Sequence, residues 1–286
     1  MNRRIFLKSA AVVSLAPAAL RLNGSISASI SPESLARPSA LKLGITSISL
    51  RDLPVPGVIT ALKQLEIGYI SIHGAHASFE KDSPEKCAAV AQAFREAGIA
   101  VATSSVVNLP NDEAAVRRAF DNAHAGGLTL MTCKPALDAL PLVERFVKET
   151  GIRLAIHNHG PEDKIYPSPY NVLKAIEPYD QRIGLCLDVG HTMRAGVDPA
   201  KVIREAAPRL YDVHLKDSFA IAGAIQDIPT EVGRGRIDMK GIIAALLEIK
   251  YSGVAAFEYE RIGVNPVTGV AESVGYVRGL IAALTS

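Results

Sequence analysis

Leu185-Cys-Leu-Asp-Val-Gly-His191 is an apolar run that ends in a carboxylate and an imidazole. Putting both at the mouth of a buried strand is costly, so they mark a site if other strands bring partners. Three stretches do: Ile156-His-Asn-His159 before it, and Val213-His-Leu-Lys-Asp217 and Phe257-Glu-Tyr-Glu260 after it. Side chains alternate along a strand. His157 and His159 therefore share a face, as do His214 and Lys216, and Glu258 and Glu260. With Asp188 on the same side, four consecutive strands aim His, Asp, His and Glu at one region. A carboxylate in such a dry place needs an ion-pair partner or a cation, and one divalent metal removes the cost. Mixed nitrogen and oxygen donors favour Mn, Co, Fe or Zn over Mg or Ca. Taken singly, each residue has a plainer reading: a hydrogen-bonded core histidine, a helix cap at Asp188, a turn at His191, glutamates paired with Arg236 and Arg261. Their joint placement at four successive strand ends is what points to a metal, with either His157 or His159 as the imidazole of the first strand.

The elements that must position these groups alternate from Lys42 onward. Strands are expected over 43–50, 69–73, 100–107, 129–134, 153–158, 183–188, 210–215 and 254–259. Helices are expected over 58–65, 84–97, 112–125, 137–150, 170–176, 199–206, 239–249 and 271–284. Pro84 near a helix start and Gly98 at its stop are typical punctuation. Eight β/α units within 41–286, with no break in composition, predict an α/β fold of parallel strands under outer helices: a (β/α)₈ TIM barrel. An open doubly wound sheet would show a Gly-rich phosphate turn after the first strand, and Ser47-Ile-Ser-Leu-Arg51 is not one. In a barrel, chemistry gathers where strands end and βα loops begin, which is where these clusters lie.

The chain has 286 residues, 48% of them hydrophobic, and a formal net charge of +2. Without Arg3, Arg4 and Lys8 the balance is −1, which leaves no basic footprint for nucleic acid. Those cations open Asn2-Arg-Arg-Ile-Phe-Leu-Lys8, followed by a weakly apolar run and small residues around Ala16-Pro-Ala18. The pattern is that of a twin-arginine export signal. Residues 1–40 are accordingly expected to be signal and linker, 41–286 the barrel, and the mature protein periplasmic. The apolar run is too short to span a bilayer, so no stable membrane anchor is expected after signal removal. Cys87, Cys133 and Cys186 are odd in number and widely spaced within apolar patterns, and read as buried free thiols.

Residues 41–286 resemble the xylose isomerase-like TIM-barrel family, the sugar isomerase/epimerase group related to endonuclease IV. The resemblance rests on Ile156-His-Asn-His-Gly160, Asp188-Val-Gly-His191, Val213-His-Leu-Lys-Asp217, Val232-Gly-Arg-Gly-Arg-Ile-Asp238 and Phe257-Glu-Tyr-Glu260. It implies one divalent metal held by a Glu, an Asp, a His and a second Glu. The Asp matches Asp188, the His matches His214 and the second Glu matches Glu258. His157 stands where the family has its first Glu. The family histidine that contacts substrate oxygen matches His191. Family epimerases use two metal-bound glutamates, one on each face of the sugar, and this chain keeps only Glu258.

The chemistry so implied is proton removal beside the carbonyl of a sugar or keto-sugar, with a metal stabilising the enediolate. Proton return gives isomerisation or epimerisation. Loss of a β-oxygen substituent gives a lyase or dehydratase, which the histidine-for-glutamate change also suits. Glu258 is the expected base, and His159, His191 and Lys216 are the expected acid or base partners. His73, His191, Glu260 and Arg236 are expected to contact substrate; Arg236 lies in the long connection 218–236, where Arg234 reads rather as part of a Gly-rich turn into a helix capped by Asp238. A sugar-binding barrel without turnover and a DNA phosphodiesterase are the competing readings; the export signal and negative mature charge oppose the second. The expected partner is a small sugar, with room for a homo-oligomer.

Overall fold

A computed structural model describes residues 40–219 and 227–286. The export signal and linker expected over 1–40 lie, apart from Ala40, outside the described residues. Nine strands form one parallel sheet: β1 (Lys42–Thr46), β2 (Tyr69–Ile72), β3 (Ala100–Ser104), β4 (Val107–Leu109), β5 (Leu130–Pro135), β6 (Arg153–His157), β7 (Ile183–Asp188), β8 (Leu210–Leu215) and, after a short ribbon, β11 (Val254–Phe257). Their order is β3-β2-β1-β11-β8-β7-β6-β5-β4. β3 and β4 are two pieces of one stave broken at Ser105–Val106, so the expected eight staves are present and the barrel is nearly closed. Side chains span the seam: the Thr132 N–H donates to Thr103 Oγ1 at 2.8 Å, and Ser104 Oγ donates to the Thr132 carbonyl at 3.2 Å.

Nine helices are described: α1 (Val55–Gln64), α2 (Pro84–Glu96), α3 (Glu113–Ala125), α4 (Leu140–Thr150), α5 (Pro169–Ile176), α6 (Val189–Arg194), α7 (Pro199–Glu205), α8 (Met239–Glu248) and α9 (Pro266–Thr285). Ser83, Asp112, Asp198, Asp238 and Asn265 cap their N-termini, each accepting a backbone N–H. Their apolar stripes bury Leu62, Phe94, Phe120, Phe146, Ile203, Leu246 and Val277 in one core with the strands. Removing a phenylalanine such as Phe94 from water contributes on the order of 2–3 kcal/mol.

Several boundaries differ from the expected ones for identifiable reasons. The first strand stops at Thr46 and gives way to a 3₁₀ turn over Ser47–Leu50. The Ser47 hydroxyl accepts the His73 N–H at 2.8 Å and the Ser49 hydroxyl accepts the Tyr259 N–H at 2.8 Å, so local hydroxyls replace the ladder there. The last helix starts at Pro266, earlier than expected, because Asn265 caps it. The connection after β8 carries an antiparallel ribbon of β9 (Asp217–Phe219) and β10 (Ile228–Thr230). Beyond it Asp217 accepts the N–H groups of Gly233 and Gly235 at 3.0 Å each and of Ile237 at 3.2 Å. The Gly-Arg-Gly-Arg turn is thus folded around the chain's own carboxylate, with Gly233 at φ +98°.

Candidate metal centre

Parallel register brings the strand ends together. His157 closes β6, Asp188 closes β7 opposite His214 of β8, and Glu258 follows β11. Its N–H donates to the Leu215 carbonyl at 2.9 Å. The pairing of Asp188 with His214 depends on a register shift: Leu185 faces Leu210, but Cys186 faces Asp212, so Tyr211 is skipped.

His157, Asp188, His214 and Glu258 each offer a donor atom within 4.8 Å of the others. His157 Nε2 lies 3.5 Å from Asp188 Oδ2, and His214 Nδ1 lies 2.7 Å from Glu258 Oε2. The first three residues are at most 2% exposed. His157 Nε2, Asp188 Oδ2 and both ring nitrogens of His214 are buried and make no well-aligned hydrogen bond, although each lies within 4 Å of a charged or ionisable neighbour. Each such atom costs about 1–3 kcal/mol if left unmatched. Four buried and poorly aligned donor groups of mixed nitrogen and oxygen type in one cup suit a divalent cation.

Lys216 lies beside the cup. Its Nζ is 3.0 Å from Asp188 Oδ2, 2.9 Å from Glu258 Oε1 and 3.0 Å from Glu260 Oε2. Burial alone would lower its pKa; the carboxylates of Asp188, Glu258 and Glu260 outweigh burial and hold it well above the ordinary lysine value. Burial likewise pushes the Asp188 and Glu258 carboxyls up, but both are held well below their usual range, Asp188 by His191 (charged only in the acid range where Asp188 would take up its own proton) and Lys216, and Glu258 by Lys216 and His214.

A cleft of about 400 Å³ opens above the cup and is lined by His73, His159, His191, Arg194, Lys216 and Glu260 among others. His159 stands one step out from the cup: its Nδ1 is 3.3 Å from His157 Nδ1 and 4.0 Å from Asp163 Oδ2. His157 is therefore the imidazole in the cup and His159 the one in the wall. Burial, with His157 and Lys134 nearby, pushes the His159 pKa down to about 3. His191 Nδ1 accepts from Arg194 Nη1 at 3.0 Å, and Arg194 Nη2 donates to Glu162 Oε2 at 2.6 Å. Because arginine only donates, the proton of neutral His191 sits on Nε2, 4.0 Å from Asp188 Oδ2. Burial keeps that ring neutral, with its pKa at about 4 despite Asp188. His73 Nδ1 accepts the Ala75 N–H at 3.1 Å.

The two arginines of the long connection lie away from the cup. Arg234 pairs with Glu272 of α9, and Arg236 pairs with Asp227 at 2.6 Å. Neither lines the cleft, whereas Asp227 does. Sequence reasoning missed Glu162 and Arg194, although Arg194 stands one helical turn after His191 on α6. It also missed Asp212, whose period-two spacing from His214 was the available signal. The three cysteines are buried and free, as expected.

A family model described as xylose isomerase-like TIM barrel matches residues 59–280. The inosose dehydratase of Geobacillus kaustophilus is 27% identical over 160 residues, covering 51% of this chain and 51% of that protein. The chain thus spans about half the length of that curated relative. Among solved structures, the IolI protein with a bound zinc superposes with a TM-score of 0.70 at 15% identity, covering 85% of this chain and 99% of the other. An L-ribulose 3-epimerase superposes with a TM-score of 0.69 at 15% identity, covering 86% and 96%.

Proposed function

The chain belongs to the xylose isomerase-like TIM barrel family, and from that premise we propose that it is a divalent-metal-dependent enzyme that removes a proton beside the carbonyl of a sugar or keto-sugar. The observation that carries this reading is the convergence of His157, Asp188, His214 and Glu258, whose donor atoms all lie within 4.8 Å of one another at the mouth of the barrel. The zinc in the IolI relative supports the metal, and the epimerase and dehydratase relatives support the substrate class.

A bound metal would supply Lewis-acid stabilisation of the enediolate oxygen; the chain's own groups do the rest. Glu258 is the base: its carboxylate is ionised and held by Lys216 at 2.9 Å. His191 offers its Nε2–H to a substrate oxygen, since Arg194 occupies Nδ1. Lys216, a partly buried ammonium that lines the cleft, donates to the oxygen that gains charge or departs. His73 and Glu260 line the cleft to hold hydroxyls. Isomerisation or epimerisation follows when the proton returns to another carbon or face, with neutral His159 within reach of the cup as the second group.

Elimination of a β-oxygen substituent is the second reading, favoured by one observation. His157 stands where the family epimerases have a second carboxylate, so the site has one strong base and several donors. The test is proton–deuterium exchange at the substrate C–H in D₂O over a panel of keto-sugars and keto-polyols, with and without chelator. Metal-dependent exchange with an isomer or epimer as product supports the first reading, and exchange with an unsaturated product supports the second. No exchange with any member, or exchange unaffected by chelator and by Asp188→Ala and Glu258→Ala, rejects both. We further propose that the protein works in the periplasm, on the strength of Arg3-Arg4 and the apolar run after them.

A further inference from the structure

Beneath the two carboxylates of the cup the barrel lumen carries a third. Asp212 lies two residues before His214 on β8, pairs laterally with Cys186 of β7, and is 1% exposed. Its Oδ2 accepts hydrogen bonds from Thr132 Oγ1 at 2.8 Å and Cys186 Sγ at 3.5 Å, and its Oδ1 accepts the Val213 N–H at 3.1 Å. Thr132 is itself fixed, because its N–H donates to Thr103 Oγ1 at 2.8 Å. Donors from β5, β7 and β8 therefore tether this carboxylate. Its Oδ2 lies 3.3 Å from His214 Nε2, the ring nitrogen opposite the one beside Glu258.

A fully buried carboxylate costs stability unless it serves a neighbouring charge or donor. The neighbour here is an imidazole whose two nitrogens face two different places. Nδ1 faces the cup and Nε2 faces Asp212. Only a ring protonated on Nε2 has an Nδ1 lone pair to give to a cation. Metal-binding histidines are commonly oriented in this way by a carboxylate on their other nitrogen.

We infer that Asp212 is a positioning residue of the metal centre, holding the His214 proton on Nε2 so that Nδ1 is presented to the cation, with Thr132 and Cys186 fixing the carboxylate. The inference rests on the reading of the four-residue cup as a cation site. It makes Asp212 a determinant of metal affinity that never touches the metal or the substrate.

The experiment titrates full-length metal-free protein with Co²⁺ and Mn²⁺ against a chromophoric chelator, for wild type, Asp212→Ala and Asp212→Asn. In parallel, long-range nitrogen–proton NMR of the wild type saturated with diamagnetic Zn²⁺ reads which His214 nitrogen carries hydrogen, because in the metal-free ring each nitrogen faces a carboxylate. Asp212→Ala is expected to bind about 10- to 100-fold more weakly. Asp212→Asn, which keeps an acceptor oxygen, is expected to fall between it and wild type, and His214 to be protonated on Nε2. A folded Asp212→Ala with wild-type affinity, or a wild-type His214 protonated on Nδ1, overturns the inference and leaves the cup standing. Wild type that binds neither metal overturns both. Should Asp212→Ala fail to fold, Thr132→Val together with the wild-type NMR spectrum decides: weaker binding with the Nε2 proton supports the inference, and unchanged binding or the Nδ1 proton overturns it.

Discussion

The backbone N–H of His191 donates to Asp188 Oδ1 at 2.8 Å, which leaves Asp188 Oδ2 facing His157 Nε2 at 3.5 Å. One carboxylate thus starts α6 and completes the cup, each oxygen having its own duty. The two duties separate by mutation. Asp188→Asn keeps an oxygen for the cap and removes the charge. It is expected to lose metal binding by more than tenfold while its urea midpoint stays near that of metal-free wild type. Asp188→Ala removes both and is expected to be less stable by about 1 kcal/mol, the usual value of a cap. Equal stability of the two variants would mean that the cap contributes nothing.

In the proposed reading, His157 stands where the family resemblance places the second metal-bound glutamate. His157→Glu restores two carboxylates. Epimer formation from a keto-sugar is expected to rise by on the order of 10²-fold relative to elimination, the low end of what a positioned proton-transfer group contributes. Product ratios by NMR in D₂O measure it, and an unchanged ratio would show that position 157 does not govern the fate of the intermediate.

The neutral histidines set an acid limit on the fold. Burial lowers His191 to about 4 and His159 to about 3, while the unfolded chain titrates near 6.5. Below that value the unfolded state takes up protons that the folded state refuses, so stability is full above pH 6.5 and declines as pH falls towards 4. Urea midpoints of metal-free protein between pH 5 and 7.5 should show this slope, and His191→Gln should flatten it.

Export is tested at the other end of the chain. Replacing Arg3 and Arg4 with lysine is expected to leave the protein in the cytoplasm at unchanged total amount, read by fractionation. Periplasmic protein in undiminished yield would rule out the twin-arginine route.

Much of the barrel was legible because buried parallel strands and amphipathic helices have different periods. β7 and β8 fall on their expected bounds, and the cup residues could be picked out because a polar group ending an apolar run is rare. What escaped was set by side-chain bonds that no period reports. The third stave breaks at Ser105, whose N–H bonds to the Ile72 carbonyl at 2.7 Å. The cap reading of Asp188 holds, since its side chain accepts the His191 N–H and starts α6, while the turn reading of His191 gives way to that helix. Arg236 looked like a substrate group because its partner Asp227 lies nine residues earlier, at the far end of a ribbon that alternation does not reveal. The choice between His157 and His159 needed the loop after β6, where Asp163 draws its Oδ2 to Lys134 and holds the segment carrying His159.

The skipped residue Tyr211 bears on how this site tolerates change. Side-chain parity along β8 decides whether Asp212 and His214 point inward, and that parity is set by counting residues from the bulge. Substitution at Tyr211 leaves the count intact. Deleting it, or adding a residue beside it, would turn an imidazole towards the helices and a valine towards the cup. The length of this stave is therefore under tighter constraint than the identity of the tyrosine within it, and natural variation around position 211 should run to exchanges of residue type before gains or losses of a residue.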